Sequence, residues 1–138
     1  MVACLFCKVV AGELPSFVVL DEPGVLGFLD IRPVFKGHTL VVPKVHRDTM
    51  VDLEPSELAE VFGAAQRVAA AVGPGFGAQG SWVSVNNVVS QSVPHLHVHV
   101  VPRTKGDGLK GFFWPRTKYV SDEEAESYAD RLRSALAE

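Results

Sequence analysis

The sequence predicts an α+β fold: an antiparallel five-stranded sheet, one long central helix and a second helix at the C-terminus. Three observations carry that reading. Five short β-rich runs are punctuated by Gly and Pro, one stretch between the third and fourth repeats its apolar residues at helical spacing, and a capping pattern opens the last segment.

Phe17 to Asp21 and Val25 to Asp30 are separated by Glu22-Pro23-Gly24, which reads as a hairpin turn. His38 to Pro43 makes a third strand around Leu40, Val41 and Val42. Leu58, Val61, Phe62, Ala65, Val68, Ala69 and Val72 then recur every three or four residues, so a helix buries one face there, and Gly73-Pro74 is expected to end it. Trp82 to Asn86 and His95 to Val101 are the fourth and fifth strands. Ser121-Asp122-Glu123-Glu124 opens the last helix as a capping box in which Ser121 and Glu124 satisfy each other's end. Ala125, Tyr128, Ala129, Leu132 and Leu136 supply its apolar stripe.

At 138 residues the chain has the size of one ordinary domain, and a single core is expected across residues 1–138. Hydrophobic residues make up 47% and charged residues 21%, which excludes disordered, collagen-like and disulfide-scaffold classes. With a formal net charge of −3, the chain lacks the basic excess of a nucleic-acid or anionic-membrane binder, so any phosphate it binds must be met locally. No run approaches the ~18–20 apolar residues of a membrane span, and the segment before Cys4 is too short for a signal peptide. A cytoplasmic, reducing location is therefore expected, and it disfavours a Cys4–Cys7 disulfide.

Most of the functional information lies in His95-Leu96-His97-Val98-His99-Val100-Val101. Side chains alternate along a strand, so the three imidazoles share one face while Leu96, Val98 and Val100 point to the other, into the core. Two chemistries are open to such a face. Two His two residues apart can hold a catalytic Zn²⁺ with a position left for water, although three in a row cannot all reach one ion. The other is nucleophilic catalysis, in which a neutral imidazole nitrogen attacks phosphorus and its neighbours hold the phosphate and set the tautomer.

His-x-His-x-His followed by two apolar residues resembles the signature of the histidine triad (HIT) family of nucleotide-binding hydrolases and transferases. Other blocks are similar too. Cys4 to Pro15 resembles that family's amino-terminal segment, Phe28-Leu29-Asp30-Ile31-Arg32-Pro33 its ribose-contacting strand end, and Gly37-His38-Thr39-Leu40-Val41-Val42-Pro43-Lys44-Val45-His46 its central block. The likeness runs from Cys4 to Arg103, which leaves 104–138 as a substrate-side loop and C-terminal helix around a HIT-like fold. It implies that His97 is the nucleophile at an α-phosphate, that His99 hydrogen-bonds the phosphate and that His38 completes the network. It further implies that Gln91 and Ser92 lie beside the phosphate and leaving group, that Asp30 binds ribose hydroxyls, and that Leu5, Phe6, Val9, Phe28 and Ile31 pack the base. Read on their own, the five apolar residues are ordinary core, Asp30 is a turn or cap carboxylate, and Gln91 and Ser92 are loop residues.

Cys4-x-x-Cys7 alone reads as a redox pair, half a zinc site or chance, and it lacks the preceding strand of a thioredoxin-like motif. Two thiolates need two more ligands for a closed tetrahedral zinc, and His46 and His95 can supply them. Some members of the superfamily, including galactose-1-phosphate uridylyltransferases, carry a structural zinc of this type, and the resemblance implies one here. Such a zinc has no open position and acts only by pinning the amino-terminal segment to the sheet.

Family members usually carry Asn-x-Gly-x-x-Ala-Gly-Gln before the triad. Here the stretch is Asn86-Asn87-Val88-Val89-Ser90-Gln91, which is shorter and free of glycine, so both Asn86 and Asn87 are candidates for the family's asparagine. A tighter phosphate pocket is expected, because glycine lets a backbone approach a phosphate closely. Downstream, Gly106 to Arg116 is rich in Gly, aromatics and cations. It reads either as a loop that completes the pocket across a dimer interface, with Lys110 or Arg116 meeting phosphate, or as a packed surface loop in which Trp114 fills a gap.

The expected activity is cleavage of a phosphoramidate or phosphoanhydride bond of a nucleotide conjugate through a nucleotidyl-histidine, by a homodimer that binds nucleoside monophosphate. The alternative is a nucleotide-binding regulatory protein with little turnover.

Overall fold

Extended, β-branched runs need partners for their backbone groups, and the hairpin turn brings the first two together. The computed structural model describes residues 4–109 and 116–138. Its five strands are β1 (Val18–Glu22), β2 (Val25–Leu29), β3 (Thr39–Pro43), β4 (Gly80–Ser84) and β5 (Val98–Arg103). They form one antiparallel sheet in the order β1-β2-β3-β5-β4. Glu22 faces Val25 across the expected turn, and Leu40 faces His99 at the centre of the sheet.

The α-helices among the described residues are α1 (Leu5–Val10), α2 (Pro55–Phe76) and α3 (Asp122–Leu136). Val61, Ala65, Val68 and Val72 of α2 are buried against Val25, Val41, Leu96, Val98 and Val100. The other face of the sheet carries a second cluster, in which Phe6 of α1 packs with Leu26, Phe28, Leu40 and Val42. With apolar layers on both sides, β3 is buried at every position.

Several boundaries differ from the sequence reading, each for a local reason. β5 pairs with β3 only from Val98 and with β4 only from His99, because the Leu96 amide donates to the Arg47 carbonyl at 2.7 Å and the His95 amide to the Val93 carbonyl at 2.8 Å. The fourth strand is displaced to Gly80–Ser84 for the same cause: Ser84 pairs with His99, near the beginning of β5. α2 does not stop at Gly73-Pro74 but runs to Phe76, where Gly77 adopts φ 69° and donates to the Gly73 carbonyl. α1 was not anticipated; Cys4 caps it, its sulfur accepting from the Cys7 amide at 3.4 Å.

The chain divides into two compact units at Asp107–Gly108. In the second unit Ser121 caps α3 as expected, accepting from the Glu124 amide at 3.1 Å. The reciprocal half differs: Glu124 accepts from the Val120 amide at 2.9 Å, not from Ser121. The stripe residues Tyr128, Leu132 and Leu136 are exposed. Lys110 and Trp114 lie outside the described residues. No helix among the described residues is long and apolar enough to cross a membrane.

Candidate active site

Alternation along the segment entering β5 sets Leu96, Val98 and Val100 in the core under α2 and leaves the three imidazoles on the opposite face, beside Phe6. Their hydrogen bonds assign their tautomers. His97 Nδ1 lies 2.8 Å from the His95 carbonyl oxygen, so it carries the proton and donates, which leaves Nε2 with a free lone pair. The Val34 amide donates to His38 Nδ1 at 3.1 Å, so the His38 proton sits on Nε2 and is donated to His99 Nδ1 at 3.0 Å. The His99 proton is therefore on Nε2, available to an anion. His97 and His99 have ring centroids 4.9 Å apart, which sets a nucleophilic nitrogen beside a hydrogen-bond donor.

Asp30 follows β2 next to this group: Oδ1 accepts from the Arg32 amide at 2.8 Å, and Oδ2 lies 3.7 Å from His38 Nδ1. Phe6 packs edge-on against His97 at 5.1 Å and against Phe28 at 5.5 Å. Val9 borders the same cluster, whereas Leu5 and Ile31 are exposed, Ile31 by 80%.

Burial, with His97 and His38 nearby, holds His99 down at about 4 against an ordinary value of 6.5, and Asp30 only partly offsets this. Burial likewise lowers His38, opposed by Asp30. Both rings are thus neutral at pH 7, as the hydrogen-bond pattern requires. A linkage follows: the unfolded chain protonates the His99 imidazole near 6.5 while the folded chain holds off until about 4, so stability falls as pH drops through that window and levels off below it. The thermal midpoint should decline from pH 7 to 4. His99→Asn should flatten that decline in part, since His38 and His95 are lowered too; an unchanged slope would contradict the assignment.

Beyond the triad, Cys4, Cys7, His46 and His95 bring one ligand atom each to within 4.8 Å of one another. Cys4 Sγ is 3.3 Å and Cys7 Sγ 3.5 Å from His95 Nδ1, and Cys7 Sγ is 3.2 Å from His46 Nδ1. Tetrahedral zinc with ~2.3 Å sulfur and ~2.1 Å nitrogen bonds needs ligand atoms roughly 3.6 Å apart. The donor set fits. Each imidazole is also turned for it: His95 Nε2 donates to the Pro43 carbonyl at 2.8 Å and His46 Nε2 to Asp48 Oδ1 at 2.7 Å, which keeps both Nδ1 lone pairs toward the sulfurs. Asp48 escaped the sequence reading, although its place two residues after His46 was a usable sign. A second group, Asp30, His38 and His99, also has ligand atoms close enough for a metal, but its His38–His99 hydrogen bond is already made.

A family model described as the HIT domain matches residues 11–106. The chain belongs to the HIT family. Among HIT relatives, it is 32% identical over 136 residues to the adenosine 5'-monophosphoramidase of Schizosaccharomyces pombe, covering 97% of this chain and 98% of that one. A crystal structure from Streptococcus mutans aligns with a TM-score of 0.89 at 34% identity, over 99% of this chain and 87% of the other. A zinc-bound histidine triad protein from Mycobacterium smegmatis aligns at 0.75 and 36% identity, over 96% and 97%.

The loop where this HIT chain lacks glycine keeps a glycine-like backbone. Val88 and Ser90 have φ of 68° and 62°, in the left-handed region that a β-branched residue rarely enters. The turn is held by Gln91, whose Oε1 accepts from the Val88 amide at 3.1 Å and whose Nε2 donates to the Asp48 carbonyl at 2.5 Å. Asn87 Oδ1 accepts from the Met50 amide at 2.9 Å, and Asn86 and Ser92 are exposed. Relief of the left-handed strain, set against glycine's unfolded-state entropy, makes Val88→Gly stabilising by roughly 1 kcal/mol. Val89→Gly, lacking that relief, should destabilise. Equal melting shifts for the two would remove the argument.

Proposed function

We propose that this HIT protein cleaves a nucleotide conjugate at its α-phosphate through a nucleotidyl-His97 intermediate. The reading is carried by one observation: the His97 Nδ1–H donates to the His95 carbonyl, which leaves Nε2 unprotonated. Nε2 attacks phosphorus and forms a P–N bond, and the bond to the amine or phosphate leaving group breaks, an amine taking a proton from solvent that the attacking water of the second step gives back. Water then cleaves the P–N bond, returning neutral His97 and nucleoside monophosphate. His99 Nε2–H donates to the phosphoryl oxygens as charge builds on them, held in that tautomer by His38.

Binding would order the substrate between Asp30, taken to meet the ribose hydroxyls, and an apolar wall of Phe6, Val9 and Phe28, with Leu5 and Ile31 exposed for the base. Ser92 is taken to stand by the leaving group. Gln91 and Asn87 are held within the protein, so in this conformation they shape the pocket. Zinc bound by Cys4, Cys7, His46 and His95 would supply rigidity, not chemistry. We place the protein in the cytoplasm as a homodimer. Pairing is supported by the outer edge of β4, which has no strand partner among the described residues.

The similarity to a monophosphoramidase makes a phosphoramidate the first substrate to test. Single-turnover reaction with radiolabelled adenosine and guanosine phosphoramidates, and with dinucleoside polyphosphates, should trap label on the protein. Tight binding of nucleoside monophosphate with no trapped label on any of these would instead indicate a regulatory binder.

A further inference from the structure

The triad segment is tied to α2 by a chain of contacts that runs through residues outside the reacting group. Leu96, between His95 and His97, has its amide on the Arg47 carbonyl at 2.7 Å. The Arg47 guanidinium is held by Glu57, with Nε 3.0 Å from Oε2 and Nη2 2.9 Å from Oε1. Glu57 Oε1 also accepts from the Glu54 amide at 3.1 Å, so the same carboxylate caps α2. On either side of Arg47 stand His46, which offers its Nδ1 to Cys7, and Asp48, which holds His46 and accepts from Gln91.

Residues 46–48 therefore act as a crossbar. Three features of the site hang from it: the backbone between His95 and His97, the orientation of the His46 imidazole set by Asp48, and the loop closed by Gln91. Among the described residues, the Arg47–Glu57 pair is the side-chain contact that fixes this crossbar to the helix. A two-pronged Arg–carboxylate contact constrains both position and angle, which a single hydrogen bond does not. Its partners are partly shielded, at 35% and 19% side-chain exposure, so the contact is more persistent than a fully exposed ion pair.

We propose that Glu57, acting through Arg47, is a positioning residue that sets the height of His97 above the sheet. Its link to turnover rests on the function proposed above, but its effect on the Leu96 backbone does not. A shift of about 1 Å at a reacting nitrogen can cost on the order of 100-fold in rate, so loosening the crossbar should be felt at kcat before KM.

Glu57→Gln keeps an oxygen for the Glu54 amide and the volume of the side chain, and removes the charge that holds Arg47. Arg47→Met removes the other partner and keeps its apolar stem. Each single variant, made in the full chain as purified, should show faster exchange of the Leu96 amide by ~10-fold or more, with the Val100 amide unchanged. With adenosine 5'-phosphoramidate, kcat should fall by about tenfold while KM stays within about twofold. The double variant should be no worse than either single one, because both break one contact. Unchanged exchange at Leu96, additive losses, or a fall in kcat without faster Leu96 exchange would each overturn the proposal. Failure of the wild-type protein to label His97 would count against the proposed activity, while the exchange results would still decide the positioning role.

Discussion

His97→Ala is expected to abolish covalent labelling by a nucleotide conjugate and to lower turnover on the order of 10⁴-fold or more. The size of the effect follows from what the ring alone supplies. His97 is 4% exposed, pinned between Phe6 and His99, and its Nε2 is the free lone pair that the hydrogen-bond pattern sets on this face. His99 cannot substitute, because its Nδ1 is occupied by the His38 donor and its Nε2 carries the proton. Truncation also has a structural cost: it leaves a small void beside Phe6 and strands the His95 carbonyl, worth about 1–3 kcal/mol for an unsatisfied buried acceptor.

A companion variant separates chemistry from folding. His97→Gln can still donate to the His95 carbonyl, yet offers no nucleophile. Both variants should bind nucleoside monophosphate within about an order of magnitude of wild type, since Asp30, His99 and the apolar wall remain. Reactions quenched with denaturant at alkaline pH, where the acid-labile P–N bond survives, and examined by mass spectrometry read the adduct directly. Adduct formed in His97→Gln, on any residue, would remove His97 from the role of nucleophile.

How much of this was legible in the sequence depends on the range of the forces involved. Alternation is a local property of extended backbone, so the division of His95, His97 and His99 from Leu96, Val98 and Val100 could be read without knowing any partner. The same holds for the buried stripe Val61, Ala65, Val68 and Val72. α1 could not be read in that way. It has six residues, two of them the β-branched Val9 and Val10, and on propensity alone it would not persist. It is held by Phe6 in the core and by Cys4 at its cap. Likewise, Gly73-Pro74 is a stop signal by rule, because Pro removes a donor and crowds the carbonyl four residues back, yet the helix carries Pro74 in its last turn and ends where Gly77 takes a left-handed turn. The Arg47–Glu57 contact joins a loop to a helix start across ten residues, and each partner looks like an ordinary surface charge until the fold is known.

The second large expected effect concerns zinc at Cys4, Cys7, His46 and His95, a group that could hold a metal ion. Purified protein should contain about one zinc per chain, and Cys4→Ser should lose it. Cys4 matters twice, as a sulfur 3.3 Å from His95 Nδ1 and as the cap of α1, and α1 brings Phe6 against both Phe28 and His97. Without metal, burial and the adjoining Cys4 push the Cys7 thiol up to about 11, so at neutral pH it keeps its proton, and zinc uptake must release it. Retention should therefore weaken as the solution is acidified. A ligand held about 1,000-fold above its dissociation constant contributes ~4 kcal/mol to folding, which at this chain length corresponds to a melting shift on the order of 10 °C. Chelation should lower the midpoint by about that much, and turnover should fail along with the loss of α1. The opposite pattern distinguishes a metal that takes part in the reaction: chelation would then abolish turnover while the melting temperature and helix content stayed as they were. That result, or metal analysis showing no zinc in the purified protein, would overturn the structural assignment of Cys4, Cys7, His46 and His95.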